Sequence, residues 1–324
     1  MTRLLTLLAL FTLMACGGGD PQVERQPTLT GAPAIIIAHR GASGDLPEHT
    51  IEAYTLAVQQ GADFIEPDLV MTKDGVLVAR HDRYLSGSTN VEDKPEFADR
   101  KRTVTDIFGE RSDWWAEDFT LEEIKTLRAR QPFPGRSNAY DDQFDIPTLA
   151  EVIELAIASG AGLYPETKAP SYHASIGLDM KAPLLSALDG VRGPVFIQSF
   201  EAEILRELND LTDHKLVQLY SGDPRAAITG YEPPLEQVGA YADGVGPNKA
   251  LLWSQPGQPS DFVTRAHSFN LLVHPWTYRS DRIGAGYETF EAELSAVLAL
   301  GVDGLFTDFP ETGVKVRDKA ETEG

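Results

Sequence analysis

The chain alternates short apolar runs, rich in β-branched residues, with segments of helical spacing. Eight runs have the length and composition of buried parallel strands, at 34–38, 64–70, 162–165, 195–198, 216–220, 242–246, 271–274 and 304–307. Helical patterns separate most of them, as at 48–59, 148–158, 201–208 and 287–300. Eight parallel strands with intervening helices predict an α/β fold of the TIM (β/α)8 barrel type.

A ninth apolar run, 76–80, follows the second strand after only a few residues. A parallel crossover needs about a dozen residues or more, so this run is predicted to fold back as a β-hairpin arm with Asp74 and Gly75 in its turn. From about 83 to 144 the alternation breaks in a charged segment that carries Trp114, Trp115 and one predicted helix at 121–127. Its length predicts a small inserted subdomain.

The domain is predicted to span 34–318 and to be followed by a tail at 319–324. The residues before it lack the alternation of strands and helices that the domain shows. Residues 1–15, with Arg3 before an apolar run too short to span a bilayer, predict a signal peptide. Cys16, the single cysteine, follows directly and resembles a bacterial lipobox, which predicts lipidation at its thiol. An ordinary signal peptide with an incidental cysteine is the alternative. Residues 16–33 lack periodicity and predict a flexible tether.

These features predict a periplasmic, membrane-anchored lipoprotein, or a secreted protein, and leave open which membrane holds the anchor. The net charge of -21 argues against nucleic acid or an anionic membrane surface as the main partner. Contact with a membrane is therefore expected only through the N-terminal lipid. An acidic protein that acts on a phosphate ester needs a local reversal of sign, from a cation or from clustered Arg and Lys.

Acidic residues stand at the ends of two neighbouring predicted strands, where the active site of a TIM barrel lies. Glu66 and Asp68 are two residues apart and so face the same side of a strand, and Glu166 follows the next strand. Three carboxylates so close repel one another unless a hard divalent cation lies between them. The set predicts a calcium or magnesium site, because zinc favours histidine or cysteine.

Two histidines at strand ends are candidates for acid–base work, His39 after the first strand and His81 after the hairpin arm. Phosphodiester cleavage needs one group to activate the attacking oxygen and another to protonate the leaving alkoxide, and imidazole suits both tasks. Arg40 offers a fork that matches phosphate geometry, and Lys168 supplies a point charge. Three other histidines are interpreted as structural, namely His173, His214 and His267.

Seven short motifs stand in order along the chain, at 39–42, 47–50, 66–69, 81–82, 166–168, 198–200 and 303–308. Together they resemble the signature set of the glycerophosphodiester phosphodiesterase family. The signal peptide and the insertion resemble its periplasmic bacterial branch. Pro67 stands where the family more often has an aliphatic residue, and it is not expected to misdirect either neighbouring carboxylate.

The resemblance implies a role for each motif residue. The implied metal ligands, usually for calcium in the periplasmic branch, are Glu66, Asp68 and Glu166. The implied acid–base pair is His39 and His81. The implied substrate-binding and phosphate-binding residues are Arg40, Lys168, Glu48, Gln198, Phe200 and Trp276. Within that set Glu48 supports the site, and the two aromatic rings pack against the glycerol carbons.

The implied reaction is metal-dependent hydrolysis of glycerophosphodiesters, the deacylated phospholipids, to sn-glycerol 3-phosphate and an alcohol. One alternative is a related phospholipase that cleaves intact phospholipid, which the acidic composition disfavours. The other is a non-catalytic lipoprotein that binds phosphate esters, which would need no paired histidines. The sequence leaves open the preferred head group and which histidine is the acid and which the base. It also leaves open whether water or the glycerol 2-hydroxyl attacks first.

Overall fold

The computed structural model describes residues 25–106, 109–223 and 232–323. It contains the eight predicted parallel strands, which we number in chain order as barrel strands one to eight. Two of them are interrupted, so that strand two consists of two pieces and strand three likewise. The bounds are Ile35–His39, Phe64–Glu66 with Asp68–Met71, Gly162–Leu163 with Glu166–Thr167, Phe196–Ser199, Lys215–Tyr220, Gly244–Pro247, Leu272–Val273 and Gly304–Thr307.

The strands close into a barrel, which confirms the predicted fold class. Strand one pairs in parallel with strand eight on one side and with strand two on the other. The circle is completed between strands seven and eight, where the Asp303 amide donates to the Val273 carbonyl at 2.9 Å. Between strands three and four the Leu163 amide donates to the Pro194 carbonyl at 3.0 Å.

Pro67 and Pro165 cause the interruptions in strands two and three. A proline has no N–H to donate to the ladder, but its carbonyl still accepts, here from the amides of Glu166 and Gln198, both at 2.9 Å. Beyond the breaks the pairing resumes with Asp68 directly opposite Glu166. The two prolines therefore leave the register intact and set acidic residues side by side at the upper end of the barrel.

Helices surround the barrel and pack their apolar faces on the largest hydrophobic core. They are Ile51–Gln59, Leu149–Ser159, Pro170–Ser175, Lys181–Leu188, Ala202–Asn209, Leu235–Val238, Phe262–Ser268, Phe290–Ala299 and Pro310–Glu323. A capping box of Thr148 and Glu151 begins helix Leu149–Ser159, and Gly160 ends that helix in a left-handed conformation, with φ of 75°. The first helix begins at Ile51, later than predicted, because Thr50 is its N-cap.

The hairpin arm, Leu77–Ala79, runs antiparallel to Asp68–Met71 as predicted. The insertion that follows contains strands Arg102–Asp106 and Gly109–Asp113, helix Leu121–Ile124 and short 3-10 turns at Val91–Asp93, Pro95–Arg100 and Ala116–Asp118. It has its own hydrophobic cluster around Trp114 and Phe119, to which the arm contributes Val78 and the adjoining piece of strand two contributes Val70. The arm thus joins the inserted subdomain to the barrel. Smaller elements elsewhere are Lys249–Leu252, Trp253–Gln255 and Gln258–Pro259.

Where the structure describes the chain ends, it differs from the predicted boundaries. Residues 25–33 do not form a free tether: the amide of Leu29 donates to Asp303 at 2.7 Å, and Gln26 donates to Ala299 at 2.9 Å. The predicted tail is part of helix Pro310–Glu323, where Arg25 contacts the Ala320 carbonyl at 2.7 Å. Leu29 and Gln26 donate through backbone amides, which leave no side-chain pattern in the sequence, whereas Arg25 donates through its guanidinium.

The predicted signal peptide and the predicted lipidation site, Cys16, lie outside the described residues. Among the helices that the structure describes, none combines the length and the apolar character needed to cross a bilayer.

An aromatic cluster fills the barrel interior. The ring of Tyr164 stacks on Phe196 with centroids 5.0 Å apart, and its hydroxyl is hydrogen-bonded to Nδ1 of His274 at 2.7 Å. Gly162 is required beside this cluster, because a Cβ there would lie 2.3 Å from the Phe64 ring. His274 is 1% exposed, so its imidazole is sealed within the core.

Burial lowers the pKa of His274 from 6.5 to about 4, so protons bind the unfolded chain more strongly than the folded one. Its contribution to stability is complete above pH 6.5 and is lost as the pH falls towards 4. We expect this residue to remove about 2 kcal/mol of unfolding free energy between pH 7 and pH 5. Urea unfolding of the unsubstituted chain and of His274→Gln at both pH values measures this. An equal pH dependence in the two proteins would contradict it.

Candidate active site

Glu66, Asp68 and Glu166 converge at the upper end of strands two and three. One carboxylate oxygen of each lies within 4.8 Å of the others, and all three residues are buried. Burial and the mutual repulsion of these groups raise the pKa of Glu66 well above its usual range and that of Glu166 to about 8. Burial also disfavours the Asp68 anion, but Lys168 and a hydrogen bond from His49 hold its pKa well below the usual range.

The donor set of this cluster fits a divalent cation. It is made of carboxylate oxygens, which hard cations prefer. Within the described residues, Oδ1 of Asp68 and Oε1 of Gln198 are buried and accept no hydrogen bond. Nε2 of Gln198 donates to Glu66 at 3.0 Å and so fixes how that carboxylate is turned. A cation at the cluster would relieve the repulsion that raises the pKa of two of its members.

Two basic side chains border the carboxylates. Nζ of Lys168 lies 2.7 Å from Glu166 and 3.3 Å from Asp68. Arg40 has a left-handed backbone, with φ of 59°, which turns its amide onto Glu66 at 2.9 Å. Its guanidinium contacts Glu48 at 2.7 Å and Asp68 at 3.2 Å. The predicted phosphate-binding residues thus lie directly beside the predicted metal ligands, and Glu48 holds Arg40 in place.

Two supporting residues were not given a role by the sequence analysis. His49 is fully buried, with Nε2 2.9 Å from Asp68 and Nδ1 2.7 Å from the hydroxyl of Tyr54. Arg80 is also fully buried and donates to the carbonyls of Glu48 and His49 at 2.6 and 2.9 Å. The motif at 47–50 could have indicated His49, since it immediately precedes a helix N-cap. No signal in the sequence pointed to Arg80.

His39 belongs to a buried network centred on Asp308. Nδ1 of His39 lies 2.6 Å from one oxygen of Asp308, and the other oxygen contacts Arg136 at 2.6 Å and Arg279 at 2.8 Å. Burial and the charge of Arg40 lower the pKa of His39 to about 4, so its imidazole is neutral near pH 7. The carboxylate of Asp308 favours the tautomer with the proton on Nδ1, which leaves Nε2 as an acceptor.

The inserted subdomain contributes to this network through Arg136. Its guanidinium also bonds the Ser43 carbonyl at 3.0 Å and Asp281 at 2.6 Å, and its side chain is 3% exposed. The neighbouring Gln131 donates to the same carbonyl of Ser43 at 3.1 Å. The insertion is therefore fastened to the loop after strand one and to the residue that orients His39.

His81 has a more open setting than His39. Its side chain is 34% exposed, and Nδ1 lies 3.1 Å from Asp82. Together with Lys168 it borders a cavity of about 490 Å³ that the insertion helps to form. Partial burial and the charges of Arg40 and Lys168 lower its pKa. Its charged form lowers the pKa of Asp68, which places His81 within electrostatic reach of the carboxylate cluster.

The two predicted aromatic residues lie next to Lys168. The rings of Phe200 and Trp276 meet edge to face at 5.7 Å, and Nζ of Lys168 is 5.9 Å from the Phe200 centroid.

His267, which the sequence indicated to be structural, lies at the other end of the barrel, where it contacts Asp303, just before strand eight, at 2.9 Å. The structure therefore gathers every predicted site residue that it describes at one end of the barrel.

Comparison with known proteins identifies one family. The profile of the "Glycerophosphoryl diester phosphodiesterase family" matches residues 39–312. A glycerophosphodiester phosphodiesterase of Arabidopsis thaliana is 35% identical, over 94% of this chain and 94% of its own length. The Haemophilus influenzae glycerophosphodiester phosphodiesterase is 32% identical over 97% of both chains.

Solved structures show the same fold. A glycerophosphoryl diester phosphodiesterase from Silicibacter pomeroyi superposes with a TM-score of 0.70 at 22% identity, covering 92% of this chain and 96% of its own. A phosphodiesterase from Oleispira antarctica, solved in complex with the product sn-glycerol-3-phosphate, has a TM-score of 0.66 at 22% identity. It covers 90% of this chain and 99% of its own.

Replacing Arg136 tests how strongly the insertion is coupled to the site. In Arg136→Gln the buried Asp308 loses one of its cationic partners, and we expect a loss of about 2 kcal/mol of unfolding free energy. Arg130→Gln is the matched control, because Arg130 is in the same segment but its partners Asp93 and Asp142 are exposed. Its expected loss is below about 1 kcal/mol. Chemical denaturation measures the unfolding free energy of both variants. Equal losses would show that the contact between Arg136 and Asp308 adds no more stability than an exposed ion pair.

Proposed function

The chain belongs to the glycerophosphoryl diester phosphodiesterase family, and we propose that it hydrolyses glycerophosphodiesters by metal-dependent histidine acid–base catalysis. The products are sn-glycerol 3-phosphate and an alcohol. The observation that carries the proposal is the buried cluster of three carboxylates, flanked by Lys168 and Arg40 and close to both predicted histidines. The product bound to the Oleispira antarctica phosphodiesterase supports the choice of product.

Glu66, Asp68 and Glu166 would hold one divalent cation, Ca²⁺ in preference to Mg²⁺, following the resemblance to the periplasmic branch. When bound, such an ion supplies Lewis acidity and offsets the negative charge of a phosphodiester. Lys168 and Arg40 border the same cluster and provide N–H donors for the phosphate oxygens. Phe200 and Trp276 offer an apolar surface beside Lys168 for the glycerol carbons.

The different settings of the two histidines support a division of roles. Nε2 of His39 accepts the proton of the attacking hydroxyl, and the Asp308 carboxylate stabilises the imidazolium that forms. His81 donates a proton to the departing alkoxide, and its exposure to solvent allows it to be reprotonated between turnovers. The active form therefore has a neutral His39 and a protonated His81. This combination predicts activity only within a limited pH range.

The proposed location is the periplasm, with a lipid anchor on Cys16. This rests on the signal-peptide pattern of residues 1–15 and the cysteine that follows. Comparing the unsubstituted chain with Cys16→Ser in membrane and soluble fractions tests the anchor; the same distribution for both would argue against it.

Turnover of glycerophosphocholine tests the reaction and its metal dependence together. We expect release of sn-glycerol 3-phosphate that stops with EDTA and returns with Ca²⁺. Glu166→Gln should need at least about tenfold more Ca²⁺ for half-maximal activity, because it loses a charged ligand. Asp189→Asn, on an exposed turn at a helix end, is the control. Activity that persists in EDTA, or consumption of phosphatidylcholine in place of the deacylated diester, would refute the proposal.

A diester of glycerol phosphate with p-nitrophenol separates the two histidine roles. This leaving group departs without protonation, so His81→Asn should lose about 100-fold or more in kcat on glycerophosphocholine but far less on the nitrophenyl diester. His39→Asn should lose about as much on both substrates, since each needs its nucleophile activated. The reverse pattern would exchange the two roles, and near-normal kcat in both variants would remove histidine from the mechanism.

A further inference from the structure

A second cavity lies against Trp276, one ring of the aromatic pair that Phe200 and Trp276 form. It has a volume of about 400 Å³ and is bordered by Asn248, Lys249, Trp276, Thr277, Arg279 and Arg282. Three of these residues are cationic, and none of the residues that border it is acidic. Lys249 and Arg279 are paired with the carboxylates of Glu293 and Asp308, so among the described residues the positive charge left uncompensated at this border is that of Arg282.

Most polar side chains that border this cavity offer hydrogen-bond donors, and the Thr277 hydroxyl can both donate and accept. Oδ1 of Asn248 already accepts from the Ala250 amide at 3.0 Å, which leaves the amide N–H groups of Asn248 to donate. Lys249 binds the buried Glu293 at 2.7 Å and keeps two further N–H groups. Arg282 is exposed, and its guanidinium has no hydrogen bond or ion pair with any residue that the structure describes.

A chain of contacts joins the cavity to the carboxylate cluster. Trp276 meets Phe200, which in turn lies beneath Lys168, the partner of Glu166. On the other side Arg279 contacts Asp308, the residue that orients His39. A substrate held at the carboxylates and extended across the two aromatic rings therefore reaches this cavity.

We propose that this cavity binds a second phosphate group carried by the substrate, which rests on the proposed function because the scissile diester must sit at the carboxylate cluster. A hydroxyl group both donates and accepts, whereas a phosphate monoester mainly accepts, and the cavity presents donors. The cavity beside His81 differs, since Asp82 and Glu110 border it together with Arg83 and Arg111. Its mixed charges do not select an anion.

The preferred substrates are thus diesters whose glyceryl or alcohol part bears an additional phosphate. A suitable pair of probes is glycerophosphoglycerol and the same molecule with a terminal phosphate monoester. Calorimetry in the presence of Ca²⁺ measures the affinity for each in a His39→Asn background, so that the result does not depend on turnover. We expect the phosphorylated probe to bind about tenfold more tightly.

Arg282→Gln in the same background should reduce this ratio to about threefold or less, and Arg282→Lys should retain an intermediate value. Arg265→Gln is the matched control, because Arg265 is exposed on helix Phe262–Ser268 away from the cavity, and it should leave the ratio unchanged. A ratio near one in the parent, or a ratio that Arg282→Gln does not alter, overturns the assignment.

Turnover of glycerophosphoglycerol by the unsubstituted chain is measured separately. If the chain hydrolyses neither probe but still shows an Arg282-dependent preference in binding, the proposed reaction fails while the anion site stands. If it hydrolyses both probes with the same kcat/KM and binds them equally, the reaction stands and the anion site fails.

Discussion

The repulsion among three buried carboxylates is the constraint around which the upper end of this barrel is organised. Glu66, Asp68 and Glu166 are placed within 4.8 Å of one another by strands two and three. Water cannot screen their charges there, so the surrounding protein must. Lys168, Arg40, Gln198 and His49 all donate to or contact these carboxylates. A divalent cation would complete that compensation.

A second network holds His39, and it shows what the insertion contributes. Asp308, at the end of strand eight, contacts His39 on one oxygen and two guanidinium groups on the other. One of those guanidiniums, on Arg136, comes from the inserted subdomain. Arg40 links the two networks, since it follows His39 in the chain and contacts both Glu48 and Asp68. The insertion is therefore part of the site's support as well as a wall of the cavity beside His81.

The charges around the site are distributed unevenly, and this has a bearing on selectivity. The cavity beside His81 is bordered by residues of both charges, whereas the charged residues that border the cavity beside Trp276 are all cationic. The first is bordered by Lys168, a partner of Glu166, and the second by Trp276, which packs on Phe200. In the proposed binding mode a diester held at the carboxylates extends one arm towards each. An acidic protein can thus attract an anionic substrate through a small part of its surface, because the potential inside a cavity depends mainly on its nearest charges.

The sequence by itself determined the barrel and the predicted ligands. Strands and helices are local patterns, and alternation along strand two is enough to place Glu66 and Asp68 on one face. The hairpin arm followed from the short link at 72–75. The capping boxes of Thr120 with Glu123 and of Thr148 with Glu151 mark where two helices begin. These features depend on residues that are close together in the chain, so a single sequence is enough to predict them.

Only the tertiary structure decided which distant residues meet. Asp308 is 269 positions from His39 and 172 from Arg136, and no local rule connects such residues. Arg80 acts through carbonyl groups, which every residue possesses, so its partners could not be read from side-chain types. Leu29 and Gln26 dock through their backbone amides, so no periodicity in the sequence could indicate these contacts. Local patterns specify elements, whereas the charge networks of the site arise from contacts that only the folded barrel and its insertion create.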